Sequence, residues 1–274
     1  MVVASNATAQ TIRLRSEWRV TRPREESVTL SSSAVSRACP SADNTAIVGL
    51  RVLSSVKVRL LATLAVCFSY VSAFEDGTKV DNHVVRIVEV VNAPRTTRTM
   101  PGDERDRVLI ALDAGNIQRI YADGRKSHQH WGKGQALWIR AGESYTGENI
   151  GSAPMRFVEI ELKKQAQVTP AARSHDLDPV AIDPKHNVLL LENEQVRVFR
   201  SWREAGATEK MHEHTGAGRV AVLLTDLDAN VRVADGSTNA LKALSGDVLW
   251  SGTVTHATTN LGSKKFAMVV VEVK

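Results

Sequence analysis

Gly206-Ala207-Thr208-Glu209-Lys210-Met211-His212-Glu213-His214 decides how this chain is read. Further along come Gly246-Asp247-Val248-Leu249-Trp250 and then His256-Ala257-Thr258-Thr259-Asn260. On a β-strand, residues two apart share a face. His212 and His214 are therefore predicted to point one way, with Met211 and Glu213 pointing the other. A later strand returning beside them brings His256 to the same side. Three imidazoles facing one cavity suit a divalent transition metal: Mn, Fe, Co, Ni, Cu or Zn.

The surrounding sequence is a duplicate of an earlier stretch. Arg107-Val108-Leu109-Ile110-Ala111-Leu112 matches Arg219-Val220-Ala221-Val222-Leu223-Leu224 at an offset of 112 residues. At that offset Ala122-Asp123-Gly124 meets Ala234-Asp235-Gly236, Gly134 meets Gly246, and Trp138 meets Trp250. One residue of slippage later, Asn149-Ile150-Gly151-Ser152 meets Asn260-Leu261-Gly262-Ser263, and Glu161-Leu162-Lys163 meets Glu272-Val273-Lys274. A repeat of this length means two copies of one domain. The first copy is predicted over residues 80–163 and the second over 186–274. Between them, 164–185 carries Pro170, Pro179 and Pro184 without an apolar period, and reads as a linker or a strap across the two lobes.

Within the first copy, Val84–Val90, Arg107–Leu112, Asn116–Tyr121, Gln135–Ile139 and Phe157–Leu162 read as short strands with Gly/Asp turns between them. No ten-residue helical pattern stands out. The predicted fold class is all-β, a barrel or sandwich in each copy.

A glycine, five residues and His-x-His, followed by a Gly-Asp strand and His-x-x-x-Asn, resembles the two motifs of the cupin superfamily. The second copy also resembles a group of small cupins with an EN-x-x-VRV first strand, here Glu192–Val198, then M-H-x-H, ADG and GD-x-x-W. The resemblance covers roughly residues 80–274. It implies a bicupin: two tandem cupin jelly-roll β-barrels, with one divalent metal ion (Mn, Fe, Ni, Cu or Zn) held by His212, His214 and His256.

The motif is incomplete. Cupins place a Glu ligand four to five residues after His-x-His, where this chain has Gly218 and Arg219. Ser251-Gly252-Thr253-Val254 stands where the second motif has its proline and glycine. Asn260 reads as a turn residue rather than a ligand. In the first copy Met100 and Gly102 stand at the positions of His212 and His214, and Tyr145 lies near that of His256, so no metal is expected there. His128 and His130 alternate on one strand outside the motif. His83, His175 and His186 fall at strand ends or in the linker. Trp138 and Trp250 are expected in the core. Glu209 and Arg219 are candidates at the cavity mouth for an acid/base and an anion anchor.

Composition narrows the functional classes. The net charge of +5 arises in residues 1–73, which hold nine Lys/Arg and four Asp/Glu and leave 26 of each sign elsewhere. A neutral folded part gives no argument for nucleic acid. Both cysteines, Cys39 and Cys67, lie in the same leader, which removes disulfide frameworks and cysteine zinc sites from the remainder. No phosphate loop or nucleophile elbow is present. Residues 1–51 read as disordered, an over-extended start. Residues 52–73 read as a secretory signal, with Lys57 and Arg59, the apolar run Leu60–Phe68, and Val71-Ser72-Ala73 as the cleavage site. The mature protein is then expected to begin at Phe74, to be extracytoplasmic, and to have no membrane attachment. Three functions stay open on this reading: a metal-dependent enzyme (oxygenase, lyase or isomerase type) on a small molecule, a small-molecule or sugar binding module, and a metal-free structural pseudo-dimer. The molecule is expected as a monomer whose lobes mimic a dimer, or as a homodimer.

Overall fold

The computed structural model describes residues 19–20, 77–100, 102, 104–163 and 174–274. The leader and signal expected over 1–73 lie outside the described residues, except for a two-residue strand, β1 (Arg19–Val20). The first lobe runs β2 (Gly77–Asp81), β3 (Val85–Asn92), β4 (Thr97–Met100), β5 (Arg107–Ala111), β6 (Gly115–Ile120), β7 (Lys126–Trp131), β8 (Ala136–Ile139), β9 (Tyr145–Asn149) and β10 (Met155–Leu162). A single 3-10 turn (His175–Leu177) and the one-turn helix α1 (Pro179–Ile182) follow. The second lobe runs β11 (Asn187–Glu192), β12 (Val196–Arg203), β13 (His212–His214), β14 (Gly218–Leu223), β15 (Leu227–Val233), β16 (Thr238–Ala243), β17 (Val248–Ser251), β18 (Val254–Asn260) and β19 (Phe266–Val273).

Each lobe closes one larger sheet over a four-stranded one, and the strand order repeats. The first lobe has β2-β3-β10-β5-β8 over β4-β9-β6-β7. The second has β11-β12-β19-β14-β17, with β1 at its edge, over β13-β18-β15-β16. Every described pairing is antiparallel, so the expected all-β pair of jelly-roll barrels is the observed fold.

The larger sheets are buried on both faces. Val158, Ile160 and Leu162 of β10 and Val269, Val271 and Val273 of β19 join one core shared by both lobes. Met155 and Phe157 turn the other way into the first barrel, and Phe266 into the second. A strand with two buried faces carries apolar residues without alternation, which is why Val269-Val270-Val271 runs unbroken. The shared core is reciprocal. Gly134 (φ 79°) lies where a Cβ would come within 2.6 Å of Leu224 Cδ1, and Gly246 (φ 90°) lies over Leu112, the residue equivalent to Leu224. Such a self-complementary contact is what a twofold dimer interface uses. Trp138 and Trp250, expected in the core, pack against its rim.

Two local readings need correction. The segment Glu192–Val198 is not a single strand. Asn193 Oδ1 accepts from the backbone N–H groups of Gln195 and Val196, and this asparagine turn folds β11 back onto β12. Strands β4 and β9 went unpredicted because Thr-Arg-Thr-Met and Tyr-Thr-Gly-Glu-Asn bury one face only and carry few apolar residues. In the strap, Asp178 caps α1 by accepting from Val180 and Ala181, with Pro179 at the first helical position. Arg197 donates to both Asp178 carboxylate oxygens, at 3.0 and 2.9 Å, and ties the strap to β12. Residues 164–173 of the linker lie outside the described residues.

Candidate metal centre

The pairing of β13 with β18 sets His212 directly opposite His256, and the pleat puts His214 on the same face. All three rings are buried. One ring nitrogen from each lies within 4.8 Å of the other two, and among the described residues this is the one such group of three. The ring centroids are 4.5, 4.8 and 5.2 Å apart.

Neighbouring acceptors fix two of the rings. His214 Nδ1–H donates to the Glu272 carboxylate at 2.7 Å. His212 Nδ1–H donates to the Lys210 carbonyl at 2.9 Å. With both Nδ1 atoms occupied, each Nε2 presents its lone pair, and the two Nε2 atoms face each other at 3.0 Å. Phe199 stacks parallel to His214, with 6.2 Å between centroids. Burial holds His212 and His256 below the ordinary histidine value of 6.5. Arg219 adds to the effect on His256, while Glu209 opposes it on His212.

Two acidic and two basic side chains surround this group. Arg219 donates to His214 Nε2 at 2.9 Å and to Ser251 Oγ at 2.9 Å. Burial pushes its pKa down to about 10, against the pull of Glu209 and Glu272, so the guanidinium is charged at neutral pH. Glu209 Oε2 accepts from Arg203 Nη2 at 2.8 Å, and its Oε1 stands 3.9 Å from His256 Nδ1. The cavity holds about 480 Å³ to its mouth, and Phe199, Leu227, Val231, Leu241 and Phe266 form its apolar lining.

The donor types suit a divalent transition metal, and the His212–His214 pair suits it in spacing. Two imidazole nitrogens bound to one ion at about 2.1 Å and at right angles stand about 3.0 Å apart, which is the Nε2 separation found here. A carboxylate behind a ligating histidine is the usual orienting partner in metal sites, and Glu272 stands in that position. Arg219 works against loading, since its N–H holds the lone pair that a metal would need.

Of the residues singled out from sequence, the fold brings together His212, His214, His256, Glu209 and Arg219. Asn260 serves a turn: its Nδ2 donates to the carbonyls of Arg203, Glu204 and Lys264, and its Oδ1 accepts from Gly262. Asn149 does the same in the first lobe. His128 and His130 are exposed, and both contact Asn116 Oδ1. His186 pairs with Asp183 in the strap. In the first lobe Met100 pairs with Tyr145 in the register where His212 pairs with His256. Sequence reading missed Glu272 and Arg203 as parts of the site. For Glu272 a signal was available: it is a charge in the otherwise apolar strand Phe266–Val273, and it repeats Glu161.

No protein-family model matches the sequence, and no curated protein does. Solved structures do match. AerE from Microcystis aeruginosa superposes with a TM-score of 0.51 at 13% identity, over 73% of this chain and 99% of that one. A variant of oxalate decarboxylase from Bacillus subtilis superposes with a TM-score of 0.50 at 9% identity, over 72% of this chain and 75% of that one. The chain is folded as a bicupin. A cupin barrel protein from Leptotrichia buccalis also matches, with a TM-score of 0.47 at 16% identity, over 74% of this chain and 90% of that one. At these identities the likeness is one of fold, and the chemistry of this bicupin has to be read from its own side chains.

Proposed function

We propose that the second lobe binds one divalent transition metal through His212, His214 and His256, and that the protein is a metal-dependent enzyme acting on a small organic anion. One observation carries the metal: the His212 and His214 Nε2 lone pairs converge at 3.0 Å, held there by Nδ1 bonds to Lys210 and Glu272. Three protein ligands leave open positions, and a metal bound there supplies Lewis-acid or O2 chemistry.

The chain's own residues account for the rest. Arg219 presents a buried guanidinium beside the histidines and can hold an anionic substrate group. Glu209, buried against Arg203, is placed to carry a proton at Oε1 on the His256 side of the cavity. The apolar lining excludes water from the remainder. The likeness to an oxalate decarboxylase agrees with a small-anion substrate and rests on fold alone. The pattern of residues 52–73 supports an extracytoplasmic protein that begins at Phe74 after processing. The lobe-to-lobe core supports a monomer that is its own pseudo-dimer.

A second reading, binding without turnover, is favoured by the Arg219 contact to His214 and by the lack of a carboxylate at positions 218–219. Co2+ titration of metal-depleted protein, followed by additions of oxalate and acetate, separates the two. The enzyme reading expects visible Co2+ bands that saturate at one equivalent and shift when an anion is added. Bands indifferent to anions, or no Co2+ uptake at all, overturn the enzyme reading and leave the binding one.

A further inference from the structure

The first barrel has lost the histidines but not its cavity. A space of about 440 Å³, counted to its mouth, opens in the same lobe position as the metal cavity of the second. Among the described residues its charged lining consists of Arg98 and Arg119, with no carboxylate in it. Three polar atoms in that lining are buried without a hydrogen-bond partner: Arg119 Nη2, Trp131 Nε1 and Gln129 Oε1. Arg119 and Trp131 are 5% and 2% exposed, so bulk water does not satisfy them. A buried unpaired polar group costs on the order of 1–3 kcal/mol, and two donors and one acceptor around one cavity is a density that a folded protein retains for a reason.

The register shows where these groups came from. At the offset of 112, Arg119, Gln129 and Trp131 correspond to Val231, Leu241 and Ala243. The pairing Ile117–Gln129 in the first lobe matches Ala229–Leu241 in the second, so the correspondence is structural. The second lobe keeps these positions apolar and carries polar groups on β12, β13, β14, β18, β19 and the loop before β13. The first lobe reverses this: Met100 and Tyr145 replace the histidine pair, and the unpaired donors sit on β6 and β7.

We infer that the first lobe is a metal-free binding site for a small monocarboxylate with an apolar body. The carboxylate accepts from Arg119 Nη2 and Trp131 Nε1. The Arg119 guanidinium is held in place by stacking 4.2 Å over the Tyr145 ring, and Glu143 Oε1 engages its other Nη at 3.5 Å. The body of the ligand lies against Phe157, Leu109, Ile117 and Met100. Arg98 stands at the cavity with Glu159 as its partner and adds positive potential without being needed as a direct contact. Gln129 sets a polar requirement beside the carboxylate, and a hydroxyl or a ligand-bound water fulfils it. This site stands apart from the metal reading of the other lobe and does not depend on it.

The test is isothermal titration of the full chain with benzoate, phenylacetate and hexanoate, with benzyl alcohol as the uncharged control. We expect saturable binding of one equivalent for at least one of the acids and none for the alcohol. Arg119→Met should weaken that binding at least about tenfold and Trp131→Phe by several-fold, while His212→Ala leaves it unchanged. Thermal unfolding covers the case in which Arg119→Met misfolds. Trp131→Phe removes one unpaired donor and, since phenyl is smaller than indole, some buried volume; its melting point is read with and without ligand, and it should lose most of the ligand-induced rise. No saturable binding by any acid, or binding indifferent to both Arg119→Met and Trp131→Phe, overturns the inference. So does binding abolished by His212→Ala, because it places the acid in the second lobe.

Discussion

The two lobes share strand order, register, the twin asparagine turns and a reciprocal core, yet their cavities have opposite chemistry. In the second, three buried imidazoles line one wall, with Glu272 behind His214 and Arg219 on its Nε2 side. In the first, Met100 and Tyr145 occupy the register of His212 and His256, and Arg119, Gln129 and Trp131 make the neighbouring strands of the same sheet polar. The difference shows how a duplicated barrel separates scaffold from site. Side chains facing the shared core stay apolar in both copies, because each packs against its counterpart. Side chains facing the barrel interior pack only against their own lobe, and are free to diverge.

If the scaffold is symmetric, damage to it should be too. Leu112→Ala and Leu224→Ala occupy equivalent places in the shared core, and both are almost fully buried. Each should cost about 2–5 kcal/mol in urea unfolding, with one transition for both lobes. A large disparity, or two separate transitions, would break the comparison at its base.

The site half of the comparison is sharpened by Glu272→Gln. Loss of the carboxylate that orients His214 should lower metal affinity by about 10- to 100-fold, measured by competition with a chromophoric chelator. The matching change in the first lobe, Glu161→Gln, should leave metal affinity alone, since Glu161 is engaged with Arg86 and Arg105.

Acid gives the smallest effect and again separates the lobes. His212 and His256 are held below 6.5 by burial. Around that pH the unfolded chain gains protons at these rings, while the folded metal-free chain gains them only at lower pH, so stability falls as pH falls and is unaffected above about 7. The slope should approach about 1.4 kcal/mol per pH unit for each ring that stays neutral. Urea midpoints of the metal-free protein between pH 7.5 and 5.5 measure it, and His212→Gln/His256→Gln should flatten the slope. The first lobe has no buried histidine to contribute.

Much of the fold was legible in the sequence, because the repeat doubled every signal. Strands buried on two faces, such as Phe266–Val273, announce themselves as apolar runs, and Asp-Gly turns mark the ends of others. Strands β4 and β9 were not legible, since a short strand with one polar face resembles a loop. At the site, His212 and His214 were legible from two-residue spacing, and His256 from the motif's close. The oddity of Glu272 in an apolar strand was visible, but its partner was not: His214 lies 58 residues away in sequence and 2.7 Å away in space. The inward aim of Arg219 followed from register, which depends on which face of β14 meets the shared core. The polar wall of the first barrel was illegible for the same reason. Nothing in the sequence around Arg119 and Gln129 marks them as facing a cavity until the barrel closes over them.

The most direct test of the whole account is the metal content of the protein, purified without chelator, beside His214→Ala and Tyr145→Phe variants. Elemental analysis should find one equivalent of a transition metal in the parent and in Tyr145→Phe, and none in His214→Ala. No metal in any of the three, metal that survives His214→Ala, or a second equivalent lost with Tyr145 would contradict the division of the two barrels into a metal lobe and a metal-free one.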